Sequence, residues 1–380
     1  MKITGVIVEY NPFHNGHKYH IEQARLLTKA DVVVAVMSGN YVQRGEPAML
    51  DKWTRAKEGL LNGVDVVFEL PFAMAVQPGH IFAQQAVKLL HAVGVDTIVC
   101  GAEHPNYNFM KLANLPIKNH SAFTQYDQTY ATTFYQELFE KSGIEINLPN
   151  DILCLSYATA ITEYEWEKDI KILPIKRIMA NYHQNNLPSG NIASASAVRQ
   201  HSPHEVRRYV PVQTFNDLIN VKRTSNFKST WWPALQYRLQ TASIEELKQI
   251  YQVTEGLEYK LKETVERASN YEDFMHLLKS KRYTSARLQR LILYVLLNVT
   301  EQQMQLALEQ PFLNLLGATT TGQLWLRKIK KQTEIPILSK IGAKVKSQEF
   351  ALQYKVDQIF TTLGKQPVQN IGRIPWRINN

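Results

Sequence analysis

Four short apolar runs, rich in β-branched residues and separated by helical periods, restrict the fold of this chain more than any other feature. They span residues 3–9, 31–37, 64–70 and 95–100. Gly, Asn, Asp or Pro bounds each one, as expected of strands buried on both faces. Ile21, Ala24 and Leu27 mark a helical period after the first run; Ile81, Ala83, Ala86, Leu89 and Leu90 mark another before the fourth. This alternation predicts βαβ units and therefore an α/β fold, a Rossmann-like doubly wound parallel sheet. Sites in such sheets lie beyond the carboxyl ends of strands, so functional groups are expected after Val8, Met37, Leu70 and Cys100. A further apolar run at residues 170–178 predicts another strand, leading to Tyr182-His183-Gln184 and on to residues 190–199.

With 380 residues the chain exceeds one ordinary core and suits two domains. Residues 106–150 are irregular, fitting helices and loops that cover the first domain. Beyond residue 205 helical periods dominate, as at 244–251, 257–268, 285–297 and 350–363. The expected division is an α/β catalytic domain at 1–205 and a mainly α-helical domain at 206–380. Charge divides in the same way: residues 1–200 carry 17 Lys and Arg against 19 Asp and Glu, whereas residues 201–380 carry 26 against 15. The basic second half is expected to meet a polyanion. The start of the chain lacks the features of a signal peptide, and the apolar run at 291–299 falls short of the about 20 residues a bilayer needs. A cytoplasmic protein with no membrane partner is expected. The two cysteines, Cys100 and Cys154, exclude a disulfide framework and a cysteine zinc site, and each reads as a buried structural thiol.

The segment after the first strand carries the chemistry. His14-Asn15-Gly16-His17 stands between a buried strand and a helix, where Gly16 lets backbone approach a phosphate without a Cβ in the way. The helix start offers N–H groups and a positive dipole end to an anion. His14 and His17 are placed to donate hydrogen bonds to phosphates. Nucleotidyl transfer needs little beyond such positioning and charge stabilisation, with Mg²⁺ accompanying the nucleotide. No covalent nucleophile stands out, and no His, Asp and Glu spacing suggests a protein metal site.

Two further segments are candidates. Residues 38–48 form a long, glycine-bracketed connection followed by Asp51-Lys52, and long connections in compact domains are usually functional. Ser38, Gly39, Gln43 and Arg44 are its candidate substrate contacts. In residues 192–199, Ser194 and Ser196 enter a helix with Arg199; they suit either a local cap or a phosphate. Of the other histidines, His91 lies on an apolar helical pattern and reads as structural, while His80, His104 and His183 fall near strand ends or loops and can line a site.

Residues 5–17, Gly-Val-Ile-Val-Glu-Tyr-Asn-Pro-Phe-His-Asn-Gly-His, resemble the opening of the bacterial tRNA(Met) cytidine acetate ligases, members of the nucleotidyltransferase superfamily. The likeness continues through residues 38–48, 65–71, 101–103, 149–153, 175–178 and 192–199, and more loosely at 283–287 and 316–317. The chain departs from the pattern at Cys154, where glycine is expected. The resemblance implies two steps: acetate attacks the α-phosphate of ATP to give acetyl-adenylate, and the wobble cytidine of elongator tRNA(Met) then takes the acetyl group as N4-acetylcytidine. It also implies ATP contacts at Ile7, Val8, Glu9, Tyr10, Asn11, Pro12, Phe13, His14, Asn15, Gly16, His17, Lys18, Tyr19 and His20. Gly101, Asn150 and Arg177 join them, with His14, His17 and Arg177 as the catalytic group.

A tRNA-docking second half agrees with the charge count, because phosphate neutralisation supplies most of the affinity for nucleic acid. Candidate tRNA contacts are Lys281, Arg282, Arg287 and Arg290 in one cluster. Arg327, Lys328, Lys330 and Lys331 form another, which Lys340, Lys344 and Lys346 extend. The main rival, a small-molecule adenylyl- or cytidylyltransferase on the same phosphate site, has no need of a long basic helical region. A synthetase-like ATP loop at residues 336–340 lacks its leading lysine, and an RNA-binding protein with a dead site is at odds with intact His14, Gly16 and His17.

Overall fold

The structure is a computed structural model and describes residues 1–117, 130–178, 187–220, 227–280, 282–346 and 349–379. Tyr182, His183, Gln184 and Lys281 therefore lie outside the described residues, as do the side chains of Lys344 and Lys346.

Eight strands form one sheet: β1 (Ile3–Val8), β2 (Val32–Ser38), β3 (Val66–Leu70), β4 (Thr97–Ala102), β5 (Lys171–Lys176), β6 (Leu313–Thr319), β7 (Ile337–Leu338) and β8 (Trp376–Ile378). Their order is β5-β4-β1-β2-β3-β6-β7, with β8 paired to β6. β1 to β5 run parallel, as the alternation of runs and helical periods predicts. The cores on the two faces explain why these runs are almost wholly apolar. Val32, Val34 and Val36 join one apolar cluster, while Val33, Ala35 and Met37 join the other. Helix α1 (Asn15–Thr28) packs through Ile21 and Ala24 on the second of these. Leu27 in the same period is exposed.

Strand order reverses between β1 and β4, whose following connections leave the sheet in opposite directions. Open α/β sheets form their ligand crevice at such a switch point, and the loops after β1 and β4 flank it. The helices Ile244–Lys248, Leu257–Arg267, Tyr271–Leu278 and Ser285–Leu296 share their own apolar cluster, built on residues such as Leu261, Phe274 and Leu293. That cluster reaches the sheet through Tyr41 and Phe72, which follow β2 and β3.

Two features differ from the reading of the sequence. The second half is mainly helical, yet β6 returns to pair antiparallel with β3, and β7 and β8 pair with β6. Strand content therefore extends past residue 205, and the sheet spans both sides of the expected division. The expectation of two separate thiols is corrected: Cys100 on β4 and Cys154 on the Pro149–Glu163 helix are joined as a disulfide. That helix packs directly on β4, which brings two positions 54 residues apart to a Cα separation of 6.2 Å.

Candidate active site

The loop after β1 is shaped by packing. Tyr10 adopts a left-handed backbone, φ 49°, and its ring is fully buried against Phe13 at 4.7 Å and beneath Gly59, where a Cβ would stand 3.0 Å from the ring. His14 is the N-cap of α1. Its Nδ1 accepts from the Gly16 N–H at 3.0 Å, and His17 Nδ1 accepts from the His14 N–H at 3.2 Å. This is a capping box made of two histidines in place of the usual Ser and Glu. With both Nδ1 atoms accepting, each neutral ring carries its proton on Nε2. The rings stack at 3.7 Å with their planes 22° apart, and each carries an Nε2–H donor at a helix start with no acidic residue in its first turn.

Burial is the largest reason these rings stay neutral. It lowers His14 to about 3, helped by the positive charges of Arg177 and Arg199. His17 is held well below the ordinary range by burial and then by His14, His20 and Arg177. His20 is lowered to about 4 by burial, with Arg177 adding to it and the Val99 carbonyl, 3.0 Å from Nε2, opposing it. Unfolded histidines titrate near about 6.5, so the unfolded chain takes up protons that the folded chain excludes as pH falls below that value. This stability is complete above about pH 6.5 and is lost toward about pH 4, at up to about 1.4 kcal/mol per pH unit for each ring. The urea midpoint is expected to fall between pH 7 and pH 5, and His20→Gln should shrink that fall; identical wild-type midpoints would contradict the assignment.

Arg177 follows β5 and lies across Gly101 near the end of β4, where an added Cβ would stand 3.0 Å from its Cγ. Its Nη1 is 3.7 Å from Glu103 Oε1. Glu103 in turn accepts from the backbone and side-chain nitrogens of Asn150 and from the Asp151 N–H, capping the Pro149–Glu163 helix. Asp151 answers by accepting from the Glu103 and His104 N–H groups, and it lies 2.7 Å from the His104 ring. Gly101, Asn150 and Arg177 are thereby clamped into one wall, and the field of Arg177 reaches His14, His17 and His20.

The remaining candidates are placed less uniformly. Asn11 accepts from Met49 N–H through its side chain and from Arg199 Nη1 through its carbonyl, at 2.8 and 2.7 Å. Ser194 Oγ caps its own short helix, and Ser196 Oγ accepts from Arg199, so both serines serve local structure here. Asn15 bridges α1 to the Asn191 and Arg208 carbonyls. Lys18 faces solvent beside Glu22 at 3.9 Å. Ser38 is fully buried, and Gly39 is required by the approach of Glu69, whose Oε1 would meet a Cβ at 2.3 Å. Gln43 donates from its side chain to the Gln77 carbonyl and from its backbone to Glu9. Arg44 is exposed, while Gly45, φ +83°, is wedged against the backbone of Arg290 on the Ser285–Leu296 helix. The 38–48 connection is thus anchored at both ends of its turn. His91 stacks on Trp166 at 3.8 Å, a packing role.

Arg282 pairs with Glu255 at 2.8 Å, and Arg287 lies 4.6 Å over the Tyr283 ring. Arg290 is buried, so it does not share that exposed face. Arg327, Lys328, Lys330 and Lys331 are all exposed at the end of the Thr320–Ile329 helix. Among the described residues no group of three or more His, Cys, Asp or Glu side chains could hold a metal ion.

Two buried cations escaped the sequence reading as functional supports. Arg55, fully buried in α2 (Lys52–Leu61), donates to the carbonyls of Glu9, Ser38, Gly39 and Leu50. It thus ties the carboxyl ends of β1 and β2 together and fixes the spacing of the loops they carry. Lys52 Nζ contacts both Glu69 oxygens at 2.8 Å and Asp357 at 2.7 Å, with all three side chains fully buried. The available signal was Glu69 itself, a single carboxylate inside the buried strand Val66–Leu70.

The HIGH Nucleotidyl Transferase family pattern matches residues 1–373. A tRNA(Met) cytidine acetate ligase from Leuconostoc mesenteroides is 45% identical over 99% of this chain and 99% of its own length. One from Limosilactobacillus reuteri is 41% identical over 95% of each chain. Among solved structures, apo TmcAL of Thermotoga maritima matches with a TM-score of 0.89 at 27% identity, covering both chains fully. The same protein bound with alpha-thio ATP gives 0.86. This chain belongs to the HIGH nucleotidyl transferase family, in which it groups with the tRNA(Met) cytidine acetate ligases.

Proposed function

We propose that this protein is an ATP-dependent ligase that joins acetate to the wobble cytidine of elongator tRNA(Met) as N4-acetylcytidine. The observation that carries the reading is the pair of stacked, neutral, Nε2-protonated imidazoles at the start of α1, in a chain so close to ligases of that name. A carboxylate oxygen of acetate attacks the α-phosphorus of ATP, the bond to the bridging oxygen breaks, and diphosphate leaves. The cytidine N4 amine then attacks the acetyl carbon, the bond to AMP breaks, and the amine loses a proton.

The site suits the first step, in which negative charge moves onto phosphate oxygens. His14 and His17 donate from Nε2 without having to lose a proton, and Arg177 supplies fixed positive charge beside them. Gly101 leaves room for the aliphatic stem of Arg177, and Glu103, itself held by Asn150, lies beside its guanidinium. Mg²⁺ enters as part of the MgATP substrate. Residues 1–205 supply the ATP site, and basic residues of 206–380 dock the tRNA. No helix among the described residues is long and apolar enough to cross a membrane, and a tRNA substrate supports a cytoplasmic location.

Exchange of labelled diphosphate into ATP, with no tRNA present, tests the first step. The expected result is exchange that requires acetate. Exchange driven by a phosphorylated metabolite and indifferent to acetate would move the protein to the small-molecule transferases.

A further inference from the structure

A groove of about 790 Å³ lies along the outer side of β6, remote from the histidines and used by none of the chemistry above. It opens where β6 changes partners, between the β7 pairing at Leu313 and Asn314 and the β8 pairing at Gly317 to Thr319. Arg327, Lys340, Arg373 and Arg377 line it together with Trp53 and Trp376, and no carboxylate is among its lining residues. Among the described residues none of those four cations is ion-paired with a carboxylate, whereas Arg282 in the other basic cluster is paired with Glu255. Four uncompensated cations around one concave surface form a positive potential that suits a polyanion.

The aromatic pair adds a second kind of contact. Trp53 donates its indole N–H to the Gln369 carbonyl, and Trp376 donates its own to the Trp53 carbonyl at 3.0 Å. With its polar atom satisfied, the 37% of Trp376 that stays exposed offers ring surface. Lys57 Nζ lies 5.0 Å from that ring, adding a cation to the rim. Cations that follow a backbone beside an aromatic platform are how proteins hold unpaired nucleotides.

We propose that this groove is a second docking site for the tRNA substrate, holding a stretch of its sugar–phosphate backbone with an unstacked base against Trp376. The inference rests on the ligase reading and deepens it. β6 lies three strands from β1 in the sheet, roughly 15 Å at the usual strand spacing. One RNA can therefore span the groove and the histidine site.

The test uses the full chain carrying Arg327→Glu, Lys340→Glu and Arg377→Glu together, with Trp376→Leu as a separate variant. Lys168→Glu, before β5 at the opposite sheet edge, is the charge control. The KM for tRNA in acetyl transfer is expected to rise about tenfold or more in the triple variant, and its dependence on log salt should become shallower by about 2. Trp376→Leu should raise KM about fivefold. Acetate-dependent diphosphate exchange without tRNA should stay at the wild-type rate in both, which shows that the fold and ATP site are intact. Wild-type KM and salt slope in both variants, with exchange normal, would overturn the groove and leave the ligase reading standing. Absence of acetate-dependent exchange in the wild type would overturn both.

Discussion

Replacing His17 with alanine is expected to slow acetate-dependent diphosphate exchange by about 10²- to 10³-fold, the usual loss on removing one donor that meets developing charge. The geometry specifies why the effect falls on rate. His17 Nδ1 is committed to the His14 N–H, which turns Nε2–H outward beside its stacked neighbour. Alanine removes that outward donor and also half of a capping box. The cap is worth about 1 kcal/mol, enough to lower the melting temperature by a few degrees without unfolding the chain. His17→Gln, whose side-chain amide reaches about as far as Nε2, should recover part of the rate. Exchange by His17→Ala within about threefold of wild type would show that Nε2 does not face the reacting phosphate.

Lys52→Met is expected to be among the most destabilising single changes in the protein. Burial works against the Lys52 ammonium, but Asp357 and Glu69 more than offset this and raise its pKa. Burial pushes Glu69 up, opposed by Lys52 and reinforced by Asp357. Removing the lysine leaves two carboxyl groups facing each other in the interior, at an expected loss of about 3–5 kcal/mol. Asn40, Asn314 and Gln353 donate to the same carboxylates, so the damage spreads to β3, β6 and the Ala351–Leu363 helix at once. Adding Asp357→Asn should restore part of the stability, because only one buried carboxyl then remains and it can be protonated. Urea unfolding of the single and double variants reads this directly. An additive loss in the double variant would contradict the coupling.

Some of this was legible in the sequence for identifiable reasons. A run such as Val32-Val33-Val34-Ala35-Val36 has no polar face, so it can only be a strand covered on both sides, and it is. The glycine and two histidines after β1 gave the phosphate-site expectation because they sit at a strand–helix junction, which needs only local pattern to find. Interactions across long sequence distances were not legible. The Lys52–Asp357 pair spans 305 residues, and nothing near Lys52 says that an aspartate from the far end of the chain will reach it. The return of β6 was hidden because Leu313–Thr319 is interrupted by Asn314 and Gly317 and follows a long stretch of helical periods. Asn314 turns out to face Glu69, and Gly317 has Leu60 and Trp376 too close for a Cβ. Arg290 was grouped with surface cations by its neighbours in sequence, but the Ser285–Leu296 helix turns it inward.

The most direct test of the ligase account is to supply isotopically labelled acetate, ATP, Mg²⁺ and unmodified elongator tRNA(Met) to the pure protein and analyse the tRNA nucleosides. The account predicts labelled N4-acetylcytidine at the wobble position, dependent on ATP and absent with His17→Ala. Acetate-dependent diphosphate exchange with no label entering the tRNA would contradict it, leaving an acetate-activating enzyme whose acceptor is something else.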